Sequence, residues 1–429
     1  MLQTLRNAWR IEEIRKKILF TLLIVLLYRI GNAVPVPFVD TTLLKTTIDR
    51  MGNTFLGLMD VMSGGAFSAA TIFALSIQPY INASIIIQLL CIAIPALERL
   101  SKEGGEEGRK KIASITRYAT VAIGLLQGFG YYMLMKNNSG NYQILQTEAA
   151  KSIWAAIVII LTFTSGSALV MWLGEQITEH GIGNGISIIL FTSIISRFPN
   201  SIAQTFTYIR AGQLPWWVAL LMYLGALLMI ILIVFVNDAE RRIPVQYAKR
   251  VVGRKMYGGQ STHLPMKVNM SGVMPIIFAS SISSIPATIA AFTGHQNSAW
   301  AKTNTIPYAI IYLLLIIFFA YFYSTIQFNP IEVANNLKKN GGYIPGFRPG
   351  KPTSEFIQRV LNKITLFGAV YLGIIAVTPI LISHFSNAAA LTGLQLGGTS
   401  IIIVVGVALE TVRAIEAQML MRNYKGFLS

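Results

Sequence analysis

The sequence predicts an all-α polytopic membrane protein, with ten transmembrane helices in two inverted five-helix halves around a central pore. Three observations lead there. Of the 429 residues, 53% are hydrophobic and only 12% are charged, about half the usual charged share of a soluble chain. The apolar residues fall in long continuous runs. Two short motifs recur in order, five runs apart each time.

With a mean hydropathy of +0.57, a soluble fold would have too few charges to cover its surface. Disulfide-rich secreted scaffolds, collagen-like chains and disordered chains are excluded on the same grounds. Alternation, the mark of a membrane β-barrel, is missing. The single cysteine, Cys91, lies in an apolar run and reads as a small packing residue.

A span needs about 20 largely apolar residues. Ten candidates lie at roughly 18–35, 71–94, 112–135, 152–173, 183–198, 215–236, 269–292, 306–328, 364–383 and 398–418. The first follows a basic stretch, residues 1–17, but runs straight into Gly31-Asn32-Ala33-Val34-Pro35-Val36-Pro37. No small-residue cleavage site intervenes, so it is read as a retained span and not a signal peptide. The second and seventh contain Pro79 and Pro275, which predict kinked helices. The fifth is short and begins with glycines. The tenth holds Glu410, the one acid well inside a span. Lysine and arginine fix the orientation. With the N-terminus inside, 26 of the 35 fall in cytoplasmic segments and 7 in opposite loops, which places both termini in the cytoplasm. The organisation is then a cytoplasmic segment 1–17, an N-terminal half 18–200, a C-terminal half 201–418 and a tail 419–429.

Two cytoplasmic loops, 237–268 and 329–363, are long and basic. The first holds Arg241, Arg242, Lys249 and Arg250. The second holds Lys338, Lys339 and Arg348. Attraction to anionic lipid is one use for such charge. Docking of a large acidic or anionic partner is the other, and loop length favours it, because an orientation signal needs only a few charges beside a helix end. Their alternation of apolar and turn residues suits a β-hairpin.

The repeat is short but ordered. Pro79-Tyr80-Ile81-Asn82-Ala83-Ser84 and Pro275-Ile276-Ile277-Phe278-Ala279-Ser280 both read Pro-x-x-x-Ala-Ser. Gly185-Ile186-Ser187-Ile188-Ile189 and Gly398-Thr399-Ser400-Ile401-Ile402 both read Gly-x-Ser-Ile-Ile. Five is odd, so the halves enter the membrane in opposite directions, and such proteins place their pathway between the halves near the midplane.

Chemistry-bearing residues are scarce inside. The four aspartates read as loop residues, the four histidines fall in loops or at span ends, and no His-Glu-x-x-His, acidic pair or Walker loop is present. Hydrolysis, proton relay and metal catalysis have no residues to run them, and no cofactor is called for. An aliphatic pathway dewets and closes to ions. It makes sense where the cargo is a chain that displaces the seal. Residues 55–70, too short and too rich in small residues to span, suggest a re-entrant half-helix broken at Ser63-Gly64-Gly65, or else a surface loop with a short interfacial helix.

These motifs resemble the SecY family, the pore subunits of the bacterial protein-conducting channel. The resemblance runs over essentially the whole chain. It includes Val34-Pro35-Val36-Pro37, Met62-Ser63-Gly64-Gly65-Ala66, Ala83-Ser84-Ile85-Ile86-Ile87-Gln88, Trp172-Leu173-Gly174-Glu175-Gln176, Gly181-Ile182-Gly183-Asn184-Gly185, Arg242-Ile243-Pro244-Val245-Gln246-Tyr247, Arg348-Pro349-Gly350 and Gly397-Gly398-Thr399-Ser400.

The resemblance implies a pore ring of Ile77, Ile81, Ile186, Leu190, Ile277 and Ile403. It implies a plug at about 57–69, including Met62, Ser63, Gly64, Gly65, Ala66 and Phe67. A lateral gate between spans two and seven would involve Pro79, Asn82, Gln88, Asn269, Pro275 and Ile285, with Gln88 and Asn269 hydrogen-bonding near it. Asn82 stands where the family usually has a small residue. Arg348 and Tyr424 join the basic loops as docking residues for a motor or ribosome, although Lys425 sits where an acid is common. The implied partners are the small subunits SecE and SecG, the motor ATPase SecA, the ribosome, signal peptides and nascent polypeptides, and membrane lipid. The expected function is a passive, gated polypeptide channel of the bacterial inner membrane, not an enzyme. A secondary transporter would need an embedded acid or half-helix ends at a midplane site, and an intramembrane enzyme a catalytic constellation; the inventory favours neither.

Overall fold

The computed structural model describes residues 2–50, 59–60, 62–102, 104–142, 144–145, 152–247, 250–252, 255–257, 261–283, 285–286, 289, 305–385 and 398–425. In chain order the helices are α1 (Leu2–Arg10), α2 (Glu12–Gly31), α3 (Thr41–Arg50), α4 (Gln78–Ala93), α5 (Pro95–Lys102), α6 (Gly105–Tyr142), α7 (Ile153–His180), α8 (Gly185–Arg210) and α9 (Trp216–Asp238). Then follow strands β1 (Glu240–Tyr247), β2 (Arg250–Val252), β3 (Lys255–Tyr257) and β4 (Ser261–Lys267). The chain continues through α10 (Met274–Ser283), α11 (Ile306–Gln327), α12 (Pro330–Lys339), β5 (Gly342–Tyr343), α13 (Lys351–Phe385) and α14 (Gly398–Lys425).

By length and composition, α7, α8, α9, α11 and α13 can each cross a membrane. So can α4 and α5 taken as one span, although the chain bends by 106° between them. The bend has a local cause. Ile94 precedes Pro95 and is extended (φ −107°, ψ 113°), because a proline ring clashes with helical backbone at the residue before it. Helix α9 is apolar all round, and Leu220, Leu224, Leu228, Ile231 and Phe235 are exposed along it, as expected of a lipid-facing span.

Pro79 and Pro275 do not kink running helices. Each is the second residue of its helix, α4 and α10. Proline is pre-organised for the first turn, where its missing N–H is not needed. Three residues earlier, Ser76 and Gly272 both take left-handed backbone (φ +49° and +60°), which no helix passes through. Ser76 carries the strain of a side chain there. Its hydroxyl lies 3.3 Å from the Tyr28 hydroxyl, which in turn meets Ser193 Oγ at 2.8 Å. The spans expected at 71 and 269 therefore begin as helix only at 78 and 274.

The fifth span is longer than its glycine-led sequence suggests. Helix α8 runs past residue 200 to Arg210, with Pro199 inside it, so Arg197 and Arg210 are helical residues and not loop residues. Its start is fixed twice. Asn184 Oδ1 accepts the amides of Ile186 (3.0 Å) and Ser187 (3.5 Å), an ordinary N-cap. Gly185 lies so close to α7 that a Cβ there would sit 1.9 Å from the Gly174 carbonyl oxygen.

The two long basic loops differ from each other. The first is a hairpin, as expected: β1 pairs antiparallel with β4 from Glu240↔Lys267 to Gln246↔Ser261, and β2 pairs with β3. The second is not a hairpin. Asn329 caps α12 by accepting from Ile331 and Glu332, and Pro330 opens it, so local propensity selects helix. The short β5 that follows adds to the first loop's sheet in the order β4-β1-β5. Ile243, Val245, Met266, Ile344, Ile357 and Leu361 form a separate core beneath this sheet.

Candidate functional site

The largest core cluster holds Ile77, Ile81, Leu190, Ile277 and Ile403 as buried members, with Ile186 packed against it. All six residues expected at the pore ring thus belong to, or pack against, one extended apolar cluster. Ile77 and Ile186 both approach Gly174: a Cβ on that glycine would lie 3.5 Å from Ile77 Cδ1 and 3.5 Å from Ile186 Cγ1. The repeat sets their positions. Ile81 is the fourth residue of α4 and Ile277 the fourth of α10. Leu190 is the sixth residue of α8 and Ile403 the sixth of α14. Matched motifs mark matched helix starts, and matched side chains reach the same cluster.

Beside this cluster lies the segment expected as a plug. Residues 57, 58 and 61 lie outside the described residues. Residues 63–70 form turns, and Met62, Ser63, Ala66, Phe67 and Ser68 are buried, so this is not a surface loop. Gly64 and Gly65 have φ of +70° and +91°, the conformation that glycine adopts without steric cost. Met62 belongs to the same cluster as the six aliphatic residues. Phe67 belongs to a second cluster with Tyr131 and Phe163, its ring stacked on Tyr131 at 4.2 Å, and the Tyr131 hydroxyl donates to the Phe67 carbonyl. Asp60, read as a loop residue, is 2% exposed. It pairs with Arg197 of α8 and accepts the Ser68 amide at 2.7 Å. Sequence reasoning missed this pair. The available signal was one acid and one base, each isolated in an apolar run.

Of the expected gate residues, Pro79 and Pro275 are buried at the starts of α4 and α10, and these two helices are in contact. Gln88 Nε2 faces Ser84 Oγ of its own helix at 3.5 Å. Asn269 Nδ2 donates to Asn237 Oδ1 at 2.8 Å, at the base of the hairpin. The two amides therefore find separate partners, Gln88 within α4 and Asn269 beside the hairpin. Asn82 Oδ1 is buried without a hydrogen-bond partner, and Ile285 is exposed.

Of the expected docking residues, Arg241, Arg242, Lys338, Lys339 and Arg348 are exposed on the body formed by the two basic loops. Arg250 lies in β2, and Tyr424 in α14. Lys249 lies outside the described residues. At the base of this body Arg413 Nη2 bonds Asp238 Oδ1 at 2.5 Å and the Asn237 carbonyl at 3.2 Å. Arg117 of α6 pairs with Glu175 of α7 at 2.9 Å.

The family model described as SecY matches residues 71–412. This chain belongs to the SecY family. A protein translocase subunit SecY from Streptomyces scabiei is 46% identical over 442 residues, covering 100% of both chains. A solved structure of a protein conducting channel matches with a TM-score of 0.63 at 16% identity, over 95% of this chain and 93% of that one. Another, reported for a SecY plug domain that stabilises the closed state of the translocation channel and maintains a membrane seal, matches with a TM-score of 0.59 at 17% identity, over 95% and 92%. The fold is that of the SecY channels: a multi-pass helical membrane protein whose two basic loops make a separate body.

Proposed function

We propose that this SecY-family chain is the channel-forming subunit of a protein translocase, passing unfolded polypeptides across a membrane and releasing apolar helices sideways into lipid between α4 and α10. One observation carries the reading: six aliphatic side chains, four of them from matched positions of two repeats, belong to, or pack against, one apolar cluster that also holds Met62. Such a constriction offers an ion nothing in place of its hydration shell, so it closes when empty. A polypeptide displaces the seal and is gripped without being held by any specific group.

A signal segment of about 7–15 apolar residues would lodge between α4 and α10. It shifts the channel toward the open state only by binding that state better. We take the chain not to be an enzyme, and the driving energy comes from outside. The exposed Arg241, Arg242, Lys338, Lys339 and Arg348 would dock a ribosome or the motor SecA by charge complementarity. SecE and SecG would complete the complex. The ten apolar runs and the ordered repeat support ten spans in two inverted halves of an inner-membrane protein, and the bias of lysine and arginine supports cytoplasmic termini.

The test is a stalled precursor challenged with a photo-crosslinker placed in turn at the six ring positions and at lipid-facing positions on α9. Adducts at Ile81, Leu190, Ile277 and Ile403 are expected. Adducts confined to α9 positions such as Leu224 would overturn the reading.

A further inference from the structure

We propose that Asp60 and Arg197 form a charge latch that holds residues 62–68 on α8 and sets how apolar a signal must be before the channel opens. The proposal rests on the reading of this segment as a plug.

The Asp60 side chain is 3% exposed, against 27% for Arg197. Acids are seldom so buried unless paired, and both carboxylate oxygens are engaged. Oδ2 takes the Arg197 guanidinium and Oδ1 takes the Ser68 amide at 2.7 Å. The Asp60 carbonyl accepts from Ser63 Oγ at 3.1 Å and from the Gly65 amide at 2.9 Å. One residue thus organises the whole turn and ties it to α8. The fit against the helix is close. A Cβ on Gly64 would lie 2.8 Å from Ser196 Oγ and 2.9 Å from the Ser193 carbonyl oxygen, and one on Gly65 would lie 3.7 Å from Arg197 Nε.

The position of the pair on α8 gives it a role. Arg197 follows Leu190 by seven residues, about two helical turns, so both lie on one face roughly 10 Å apart along the axis. Ser193 lies between them on that face. The segment therefore covers the same side of α8 that presents Leu190 to the aliphatic cluster, and Met62 reaches that cluster. A polypeptide moving along this face must displace the segment, and displacement separates Asp60 from Arg197. The pair favours the closed state alone, so a signal must supply correspondingly greater differential binding to open the channel.

The experiment compares export of a precursor whose signal has a shortened apolar region with export of the same precursor carrying its full signal. It uses the complete translocase, with channel abundance measured in the membrane. Asp60→Asn and Arg197→Gln should each raise this ratio about tenfold, the scale of losing a charge-assisted hydrogen bond. The neutral double variant leaves no unpaired charge to disturb folding. It should raise the ratio no further than the larger single variant, because both remove one interaction. Arg197→Lys keeps the charge and should stay within about twofold of the parent on the same scale. A ratio within twofold of the parent for both Asp60→Asn and the neutral double would overturn the latch. Deleting residues 60–67 separates the two ideas: a raised ratio there alone leaves the plug and removes the latch, whereas an unchanged ratio removes the plug reading as well.

Discussion

Tyr343 donates its hydroxyl to Gln246 Oε1 at 2.9 Å, across a strand pair whose members lie 97 residues apart. Two basic segments, each emerging between a different pair of spans, are thereby one folded body. Its core is small, and Leu361 of α13 is 1% exposed within it.

Truncating that core should loosen the body without disturbing the spans. Leu361→Ala removes a buried side chain at a cost of about 2–5 kcal/mol. Amide exchange in β1 should accelerate at least about thirtyfold, while amides of α7 keep their protection.

Charge on the exposed rim should govern encounter. Arg348→Glu is expected to lower the affinity of a translocation motor for membranes carrying the channel by about tenfold, with unchanged channel abundance. Equilibrium binding at 50 and 200 mM salt checks it, the deficit shrinking at the higher ionic strength.

The two repeats should respond alike at the ring. Ile81→Asn and Ile277→Asn each place an amide in the aliphatic cluster at matched positions, where it hydrates the constriction. Each should raise the ion conductance of reconstituted empty channels several-fold, and the two increases should agree within a factor of about two on the repeat reading. Planar-bilayer recording gives both numbers.

Gly185→Ala should be costly for its size. The added methyl would lie 1.9 Å from the Gly174 carbonyl oxygen, so α7 and α8 must move apart, with about 1–3 kcal/mol of strain. Thermal unfolding in detergent should show a lower midpoint, whereas Gly225→Ala, with open space around it, should leave the midpoint unchanged.

One acid-sensitive element is expected outside the spans. The Thr42 hydroxyl and the Leu43 and Thr42 amides lower the Asp40 carboxyl below its ordinary value. The charged form is thus favoured in the folded state. Its stabilisation of α3 is complete above the ordinary aspartate range and is lost as pH falls through the lowered value. Amide exchange of Leu44 should be flat from pH 7 to 5, after correction for intrinsic rates, and lose protection only as pH falls below the ordinary aspartate range.

Membrane class, the paired helix starts of the repeat and the first hairpin were legible in the sequence, because hydropathy, motif order and alternation are local signals. Where α4 and α10 begin was not. It depends on left-handed backbone at Ser76 and Gly272, and at Ser76 that conformation meets a hydrogen bond with Tyr28, 48 residues away. The Asp60–Arg197 pair was hidden for the same reason: its members lie 137 residues apart, and no periodicity links them. The second basic loop misled because its turn residues, Asn329 and Pro330, serve equally well as a helix start.

On the proposed function, the equal placing of Ile81 with Ile277, and of Leu190 with Ile403, makes residue number near four helix starts a functional quantity. Inserting or deleting one residue between Gln78 and Ile81, or between Gly398 and Ile403, would swing the aliphatic side chain by about 100° around its axis. Length changes there should be far rarer among viable descendants than point substitutions, which alter the gasket's material but leave its aim intact.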